Sequence, residues 1–317
     1  MPGVILCTAS YDRTIRFWEA TTGQCHHSVQ YTDPQVNTLA ITHNKEFLAA
    51  AGNNHVRLYH LNSVFSNSQQ SPVIGSFDGH TGNVLSIGFN DTDSWLYTGS
   101  EDSTVRVWDI RTFSAKRNYK CSGAVNTVSL HPGQNDLVSG DETGAVRIWD
   151  LIADKCVFKV HPNGRVGIRS LSVSADGNRC AVANNEGDVF VYDVTRNESL
   201  SMKLLYKFKA HSRYILKCLI SPDVKQICTA SADQTVKLWD MSNLSEKNQQ
   251  VLLTDTLEGH KRWVWDCAYS SDSAYLVTAS SDMTARLWDL NKGEVIKEYR
   301  GHQKAVVCIA LNDQPKK

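Results

Sequence analysis

The chain has 317 residues, and its 33 Lys and Arg residues balance its 33 Asp and Glu residues, so the formal net charge is zero. Nucleic-acid binding without sequence preference and membrane-surface binding depend on a cationic field, so this balance argues against both as a primary role. No run of 18 or more apolar residues is present, which argues against a membrane span. Nine cysteines without a C-x-x-C pair predict reduced thiols in a reducing compartment.

An apolar strand pattern that ends in Trp or Tyr recurs seven times along the chain. Successive aromatic residues are separated by 41 to 49 residues. A repeat of about 40–45 residues with this pattern is typical of WD-repeat β-propellers, in which each repeat supplies one blade. We therefore predict an all-β fold, a seven-bladed WD-repeat β-propeller that forms a single domain over residues 1–317. The aromatic residues are Trp18, Tyr59, Trp108, Trp149, Tyr192, Trp239 and Trp288.

Each repeat begins, in chain order, with an inner strand that aligns on one apolar position in all seven repeats. In the repeat that ends at Trp108, a second strand follows over residues 96–100, then a turn over residues 101–103 and a third strand over residues 104–108. Alternating apolar and polar residues favour a strand over a helix in this third segment. The outer strand has the weakest pattern, as expected of an exposed edge. The aligned inner-strand residues are Val36, Val84, Val125, Ile168, Ile215, Val264 and Val306.

The first and last segments of the chain belong to the same repeat. Residues 4–10 fit the second-strand pattern, and residues 305–311 fit the inner-strand pattern. The first residues have no basic segment and only a short apolar run, so we interpret them as a strand rather than a signal peptide. We predict a closing blade made of three N-terminal strands and one C-terminal strand, which removes the free sheet edges of a split ring.

Four repeats share a polar set: a His before the inner strand, a Ser at the end of the second strand, an Asp in the turn and a Trp on the third strand. A buried indole, hydroxyl, imidazole and carboxylate can satisfy one another by hydrogen bonds. Hydrolases also use Ser, His and Asp, but fourfold repetition beside a strand Trp favours a structural role over a catalytic triad, which needs one exposed nucleophile. The sets are His80, Ser100, Asp102 and Trp108; His211, Ser231, Asp233 and Trp239; His260, Ser280, Asp282 and Trp288; and His302 with Ser10, Asp12 and Trp18.

The other three repeats depart from this set. In place of the turn Asp they have Asn53, Thr143 and Glu186, so we expect their blades to depend more on apolar packing. Two polar insertions, residues 62–75 and residues 242–250, are predicted to be flexible surface loops.

Motifs for catalysis or metal binding are lacking in the sequence. It has no P-loop, H-E-x-x-H, EF-hand or G-x-S-x-G pattern. His26 and His27 are adjacent, and adjacent strand residues point to opposite faces, so they are not expected to chelate one ion. A propeller enzyme would need polar residues converging in its channel, where this sequence places amides, aromatics and small residues. We therefore predict no enzyme activity, no cofactor and no metal site.

Residues beside the aligned inner-strand position supply the candidate binding site. Inner strands enter from one face of the ring, so these residues are expected around the mouth of the central channel. Trp263 and Trp265 stand out because the repeat requires neither, and Trp, Tyr and Arg are typical of interface hot spots. Packing between blades is the alternative explanation for both Trp residues. The preceding position holds Gln35, Asn83, Ala124, Gly167, Tyr214, Trp263 and Ala305, and the following position includes Asn37, Asn126, Arg169 and Trp265.

A second local motif is Trp108-Asp109-Ile110-Arg111. This W-D-x-R ending resembles the box by which some propellers dock onto cullin-RING ubiquitin ligases. Only Arg111 adds to the repeat pattern itself. A substrate receptor of a cullin-RING ubiquitin ligase is therefore the alternative function, and the importance of Arg111 for partner capture would distinguish it.

Five segments resemble the small WD-repeat subunit of the TOR kinase complexes. They are residues 5–18 (ILCTASYDRTIRFW), 46–59, 262–268 (RWVWDCA), 277–288 (VTASSDMTARLW) and 301–310 (GHQKAVVCIA). The resemblance spans the whole chain, including the split closing blade and the repeats that depart from the polar set. Its most specific part is RWVWD, because a general WD repeat does not require it. The first insertion and the outer strands are less similar to the family.

The resemblance implies a non-catalytic scaffold subunit that binds an insertion of the TOR kinase domain and stabilises the active kinase. It implies that the protein acts with the other subunits of both TOR complexes in growth and nutrient signalling. It further implies a cytoplasmic location, including peripheral association with endomembranes through the complex. The channel mouth would receive the kinase insertion. The residues expected to contribute are Trp263, Trp265, Arg262, Tyr214, Gln35, Asn37 and Asn83.

Overall fold

Seven four-stranded antiparallel sheets make up the computed structural model, which describes residues 3–66, 72–244 and 250–315. Six of these sheets contain four strands that are consecutive in the chain. The first strands of neighbouring sheets contact one another around a closed ring, and their residues line a central cavity. The predicted seven-bladed β-propeller is therefore confirmed.

The strands follow one another as four per blade. From the N-terminus they are β1 (Ile5–Ser10), β2 (Thr14–Trp18), β3 (Cys25–Gln30), β4 (Val36–Ile41), β5 (Phe47–Gly52), β6 (His55–His60), β7 (Val73–Asp78), β8 (Val84–Phe89), β9 (Trp95–Ser100), β10 (Thr104–Asp109), β11 (Ser114–Lys120), β12 (Val125–Leu130), β13 (Asp136–Asp141) and β14 (Val146–Asp150). They continue as β15 (Lys155–Val160), β16 (Ile168–Val173), β17 (Arg179–Asn184), β18 (Asp188–Arg196), β19 (Leu200–Lys209), β20 (Ile215–Ile220), β21 (Gln226–Ser231), β22 (Val236–Asp240), β23 (Leu252–Leu257), β24 (Val264–Tyr269), β25 (Tyr275–Ser280), β26 (Thr284–Asp289), β27 (Glu294–Arg300) and β28 (Val306–Asn312). A short helix, α1, covers Leu61–Phe65.

The closing blade joins both ends of the chain, as predicted. Strand β28 pairs antiparallel with β1, and Cys7 lies opposite Ala310. The sheet order is β28-β1-β2-β3, so three N-terminal strands and one C-terminal strand form the blade. This pairing closes the ring and leaves no inner strand of the closing blade without a neighbour.

Apolar side chains fill the space between neighbouring blades. One such cluster contains Ala49 and Leu58 from the blade β4–β7 and Leu96 and Trp108 from the blade β8–β11. Trp108 is fully buried, and its ring centroid lies 5.9 Å from that of Phe77. Removing a buried Trp costs about 3–5 kcal/mol, so this aromatic position on the third strand holds one blade against the next.

Side chains on the inner strands also bond to the backbone of the next blade. In each case a side-chain oxygen accepts a hydrogen bond from an N–H group on the following inner strand. These bonds restrict the rotation of one blade against its neighbour, and so set the shape of the channel wall. The pairs are Ser86 with Val128 (3.0 Å), Thr127 with Leu171 (3.2 Å), Ser170 with Cys218 (3.0 Å) and Asp266 with Ile309 (2.8 Å).

The first of the two polar insertions differs in part from the predicted loop. The first contains most of α1 and the start of β7. Val64 is buried, and the Phe65 ring lies 5.4 Å from that of Phe17, so apolar contacts with the closing blade explain why this segment is ordered into a helical turn. Residues 67–71 and 245–249, which make up much of the two insertions, lie outside the described residues.

Candidate protein-binding site at the channel mouth

Four blades contain a buried hydrogen-bonded network that fixes the turn between the second and third strands. The Trp indole donates to a Thr hydroxyl at 2.8 to 3.0 Å, and the same hydroxyl lies 2.7 or 2.8 Å from the His Nε2 atom. The His Nδ1 atom lies 2.7 to 2.9 Å from the turn Asp. The threonines are Thr8, Thr98, Thr229 and Thr278.

The hydroxyl in this network differs from the one that the sequence suggested. We expected a Ser to connect the Trp and His, but the connecting hydroxyl belongs to the Thr two residues before it. Ser280 instead donates to the Arg262 carbonyl at 3.2 Å and accepts the Asp282 N–H at 3.1 Å. Ser100 makes equivalent bonds to the Gly82 carbonyl and the Asp102 N–H. The Ser therefore fastens the turn to the start of the inner strand, outside the Trp–His connection.

The network keeps its carboxylates ionised. Burial opposes ionisation of Asp12, but hydrogen bonds from Thr14, the Gln303 N–H and His302 outweigh it and lower the pKa of Asp12 to about 2. Burial also lowers the pKa of His302, although Asp12 acts in the opposite direction. A neutral imidazole beside a buried carboxylate suits a structural network. The Ser hydroxyl is taken up by backbone groups, so the arrangement lacks the exposed nucleophile of a hydrolase.

These pKa shifts predict a loss of stability on acidification. Because the pKa of His302 is lowered in the folded protein, the unfolded chain binds protons first as the pH falls below about 6.5, and the free energy of unfolding declines. The lowered pKa of Asp12 adds a second decline between about pH 4 and 2. Urea unfolding at a series of pH values should show both declines. His302→Asn should reduce the first decline without abolishing it, because burial also lowers the pKa of His80. The exposed-site control His161→Asn should leave the decline unchanged. A first decline of equal size in all three proteins would contradict this account.

Polar pairing continues in two of the repeats that lack the common set. In the blade β4–β7, Asp33 lies 2.9 Å from both His55 Nε2 and Arg57 Nε. In the blade β12–β15, the buried side chains of Asp141 and Arg147 form an ion pair. These blades therefore contain other buried or half-buried charges, and their expected greater dependence on apolar packing stays a prediction.

The turns and the starts of the inner strands lie at one end of the channel. The Ser281 N–H donates to the Trp263 carbonyl at 2.9 Å, and the Ala232 N–H donates to the Tyr214 carbonyl at 3.0 Å. The Glu101 N–H makes the equivalent bond to Asn83 at 2.9 Å. We call this end, where Tyr214, Trp263 and Asn83 precede their inner strands, the channel mouth.

Aromatic side chains are exposed at the channel mouth. Tyr214 is 53% exposed and Trp263 is 38% exposed. Arg262, beside Trp263, is also exposed. The backbones of Tyr214 and Trp263 are held by the turns while their rings remain open to solvent. The structure therefore brings these three predicted residues to one surface, formed by the blades β20–β23 and β24–β27.

Trp265 lies deeper and has contacts within the propeller. Its indole N–H donates to the Ser281 hydroxyl at 2.6 Å, and its ring lies edge-on to Tyr11 at 6.4 Å. The Trp263 and Trp265 ring centroids are 5.7 Å apart. Trp265 thus supports the exposed Trp263 from below. Internal packing, the alternative explanation for both Trp residues, therefore fits Trp265 better than it fits Trp263.

The three amide residues of the predicted set are half-buried. The Asn37 amide donates to the Gly52 carbonyl at 3.2 Å and to the Val84 carbonyl at 3.0 Å, so it connects two blades. The Asn83 amide donates to Glu101 at 2.8 Å. For Gln35 no side-chain hydrogen bond is found within the described parts of the chain. Both Asn amides are already engaged, whereas Gln35 can supply polar contacts without breaking such bonds.

A cavity of about 320 Å³ runs inward from this end and is lined by inner-strand residues. Asn37, Asn126, Arg169 and Trp265, the predicted second ring, all line it. Hydroxyl groups of several blades add to a polar wall. The cavity is thus a continuation of the channel mouth into the ring.

Two features of the channel escaped the sequence analysis. Tyr11 lines the cavity, although it comes from a turn rather than an inner strand. Lys217 and Asp266 form an ion pair across neighbouring blades, with Nζ 3.0 Å from Oδ1. Burial works against the charge of Lys217, but Asp266 outweighs it and raises the Lys217 pKa. The sequence does contain a signal for this ion pair: Lys and Asp stand at inner-strand positions that carry Thr or Ser in several other repeats.

Metal-binding clusters and membrane-spanning helices are absent from the part of the chain that the structure describes. Within the described ranges, no group of three or more His, Cys, Asp and Glu side chains converges as a metal site would require. His26 lies 3.0 Å from Glu19 in an exposed pair. No helix formed by the described residues has the length and apolar character needed to cross a bilayer.

Arg111 lies in the exposed turn after β10. Its N–H donates to Asp109 at 2.8 Å, and Ile152 and Asp150 make the same bond, also at 2.8 Å, in the next blade. The backbone at Arg111 therefore follows that of the next blade.

The closed ring, the repeated Trp-Thr-His-Asp network and the strand order define a WD-repeat β-propeller. In agreement, residues 71–109, 111–150, 202–240 and 252–289 match the family model described as "WD domain, G-beta repeat".

Comparison with curated proteins narrows the class. The chain is 49% identical over 311 residues to "Target of rapamycin complex subunit LST8" of Saccharomyces cerevisiae, covering 98% of this chain and 99% of the yeast protein. It is 48% identical to "Target of rapamycin complex subunit wat1" of Schizosaccharomyces pombe, covering 98% and 96%. It is 43% identical to the Bos taurus subunit LST8, covering 98% and 95%. The chain belongs to the LST8 family of WD-repeat propellers.

Proposed function

We propose that this chain is a non-catalytic subunit of a TOR complex, and that it binds an insertion of the TOR kinase domain at the channel mouth and stabilises the active kinase. The observation that carries the proposal is the exposed pair Trp263 and Tyr214, whose backbones are fixed while their rings remain open to solvent on one side. Anchored aromatic side chains are typical of binding hot spots. Relatives named as target of rapamycin complex subunits support the choice of partner.

The architecture supports a scaffold role. Seven blades joined by apolar clusters and inner-strand hydrogen bonds form one closed ring, so we propose that residues 1–317 act as a single rigid domain. A rigid surface loses little conformational entropy on binding, which favours stable assembly. As part of a TOR complex, the chain would act in the cytoplasm in growth and nutrient signalling, together with the other subunits.

Binding to purified TOR kinase domain from the same organism tests the proposal. We expect a stable complex with the intact kinase domain and no complex with a kinase domain that lacks the insertion. Because a ligand that binds only the folded state stabilises it, the kinase should retain activity to a higher temperature with the chain than without it. Equal binding after removal of the insertion would contradict the docking site. A complex with unchanged thermal inactivation would contradict stabilisation.

A further inference from the structure

The central cavity contains one positive charge that no described residue of the propeller neutralises. Its lining includes three charged side chains, Arg169, Lys217 and Asp266. Lys217 is paired with Asp266 at 3.0 Å. The second Asp266 oxygen accepts the Ile309 N–H at 2.8 Å. Both carboxylate oxygens are therefore engaged, and Arg169 remains as the excess cation.

Arg169 has neither an ion-pair partner nor a side-chain hydrogen bond within residues 3–66, 72–244 and 250–315. It is half-buried and comes from β16. Arg169 lines the cavity together with Tyr11. Burial raises the pKa of Tyr11, and the charge of Arg169 acts against that rise. A guanidinium offers five N–H donors in a planar array that matches a carboxylate. In a half-buried cavity, such a group binds an anion more strongly than it would at the open surface.

The rim of the channel mouth is also cationic. Exposed Lys and Arg side chains occupy the turns and inner-strand starts of three adjacent blades, and the described residues provide no ion-pair partner for them. The turn carboxylates of the same blades are already bound to the His residues of the buried networks and to the Thr hydroxyl two residues after each Asp. These three blades thus concentrate positive charge on their side of the channel mouth, whereas the exposed carboxylates of Glu101, Glu142 and Glu186 lie in the corresponding turns of other blades. The rim cations are Arg13, Arg213, Lys261, Arg262 and Lys304.

We propose that the partner segment received at the channel mouth is acidic, and that one of its carboxylates enters the cavity and pairs with Arg169. The rim cations would meet further acidic side chains, while Trp263 and Tyr214 contact its apolar residues. This inference rests on the proposed function, because it assigns chemistry to the kinase segment that binds there. Charge complementarity would also favour encounter and fix the orientation of the segment.

Arg169→Gln tests the inference, since it removes the charge and keeps most of the side-chain volume. We expect its affinity for the TOR kinase domain to fall by about tenfold or more, because truncating one member of a buried charge pair mainly accelerates dissociation. Raising the salt concentration should weaken wild-type binding more than binding of the variant. Arg169→Lys should retain part of the affinity. Arg111→Gln is the matched control, an exposed Arg outside the channel mouth, and should bind as wild type.

The possible outcomes separate this inference from the proposed function. If Arg169→Gln binds with wild-type affinity and salt dependence while Trp263→Ala loses binding, the acidic segment is overturned and the kinase-binding site stays in place. Wild-type binding by both variants would overturn the docking site itself and the inference with it. Arg169 makes no bond within the described residues, so the variant should melt as wild type does. Weaker kinase binding accompanied by a matching loss of thermal stability would count against the charge pair.

Discussion

Replacement of Trp263 by Ala is expected to weaken binding of the chain to the TOR kinase domain by about 2 kcal/mol or more, roughly 30-fold. The indole is 38% exposed and stands on the Trp265 ring, whose centroid is 5.7 Å away. A partner can therefore bury the remaining surface of a side chain that is already positioned. Titration of purified kinase domain with each protein measures the change directly.

Tyr275→Ala is the matched control for Trp263→Ala. Tyr275 is 39% exposed and belongs to the same blade, but it begins β25, whose other end leads to the channel-mouth turn. Exposed positions usually contribute within about 0.5 kcal/mol to folding, so neither variant should melt far from the wild type. Wild-type affinity for Tyr275→Ala beside a loss for Trp263→Ala identifies the channel mouth. If Trp263→Ala and Tyr275→Ala bind the kinase domain with equal affinity, Trp263 does not belong to the interface.

Thr278→Val is expected to destabilise the protein by about 1–3 kcal/mol. Val keeps the shape of Thr but removes the hydroxyl that accepts from the Trp288 indole at 2.8 Å and lies 2.8 Å from His260 Nε2. All three groups are buried, so the indole and the imidazole would lose a partner without gaining water. Urea unfolding gives the difference in the free energy of unfolding.

Thr195→Val provides the comparison for Thr278→Val, because Thr195 is exposed on β18. Its substitution should change stability by no more than about 0.5 kcal/mol. A similarly small change for Thr278→Val would show that the hydrogen bonds of its hydroxyl to the Trp and His contribute little to the free energy of unfolding. The kinase affinity of both variants, measured below their melting temperatures, should equal that of the wild type.

The sequence predicts the architecture well because the fold depends on local, repeated patterns. The pattern of apolar strands that ends in an aromatic residue recurs with a nearly constant spacing. Each repeat of this pattern forms one four-stranded blade. The split repeat at the two chain ends predicts the pairing of β28 with β1, since one blade would otherwise lack its inner strand. These conclusions need no knowledge of how the blades are rotated against one another.

The hydroxyl in the buried network could not be chosen from the sequence. Thr278 and Ser280 are two residues apart on β25, so their side chains share one face of the strand. Which of them reaches the Trp288 indole depends on the register, in which Leu276 lies opposite Trp288 and Thr278 opposite Arg286. The Thr-Ala-Ser and Thr-Gly-Ser triplets that end these strands contained both candidates.

Contacts between blades were the other part that the sequence could not supply. Lys217 and Asp266 meet because β20 and β24 adjoin in the ring, although they are far apart in the chain. In the same way, the bonds of Asn37 to two blades reveal that its amide is engaged. Side-chain direction and partners at the channel mouth depend on blade rotation, so sequence analysis could place residues there but could not separate exposed anchors from buried supports.

Affinity purification of the tagged chain from its own cells, beside Trp263→Ala and Tyr275→Ala, tests the central claim most directly. Mass spectrometry should identify a TOR kinase with the wild type and with Tyr275→Ala, and strongly reduced amounts with Trp263→Ala. If the wild type recovers cullin-RING ligase components and no TOR kinase, and Arg111→Gln no longer recovers those components, the alternative function is favoured. Equal recovery of the kinase with Trp263→Ala would contradict the assignment of the channel mouth as its binding site.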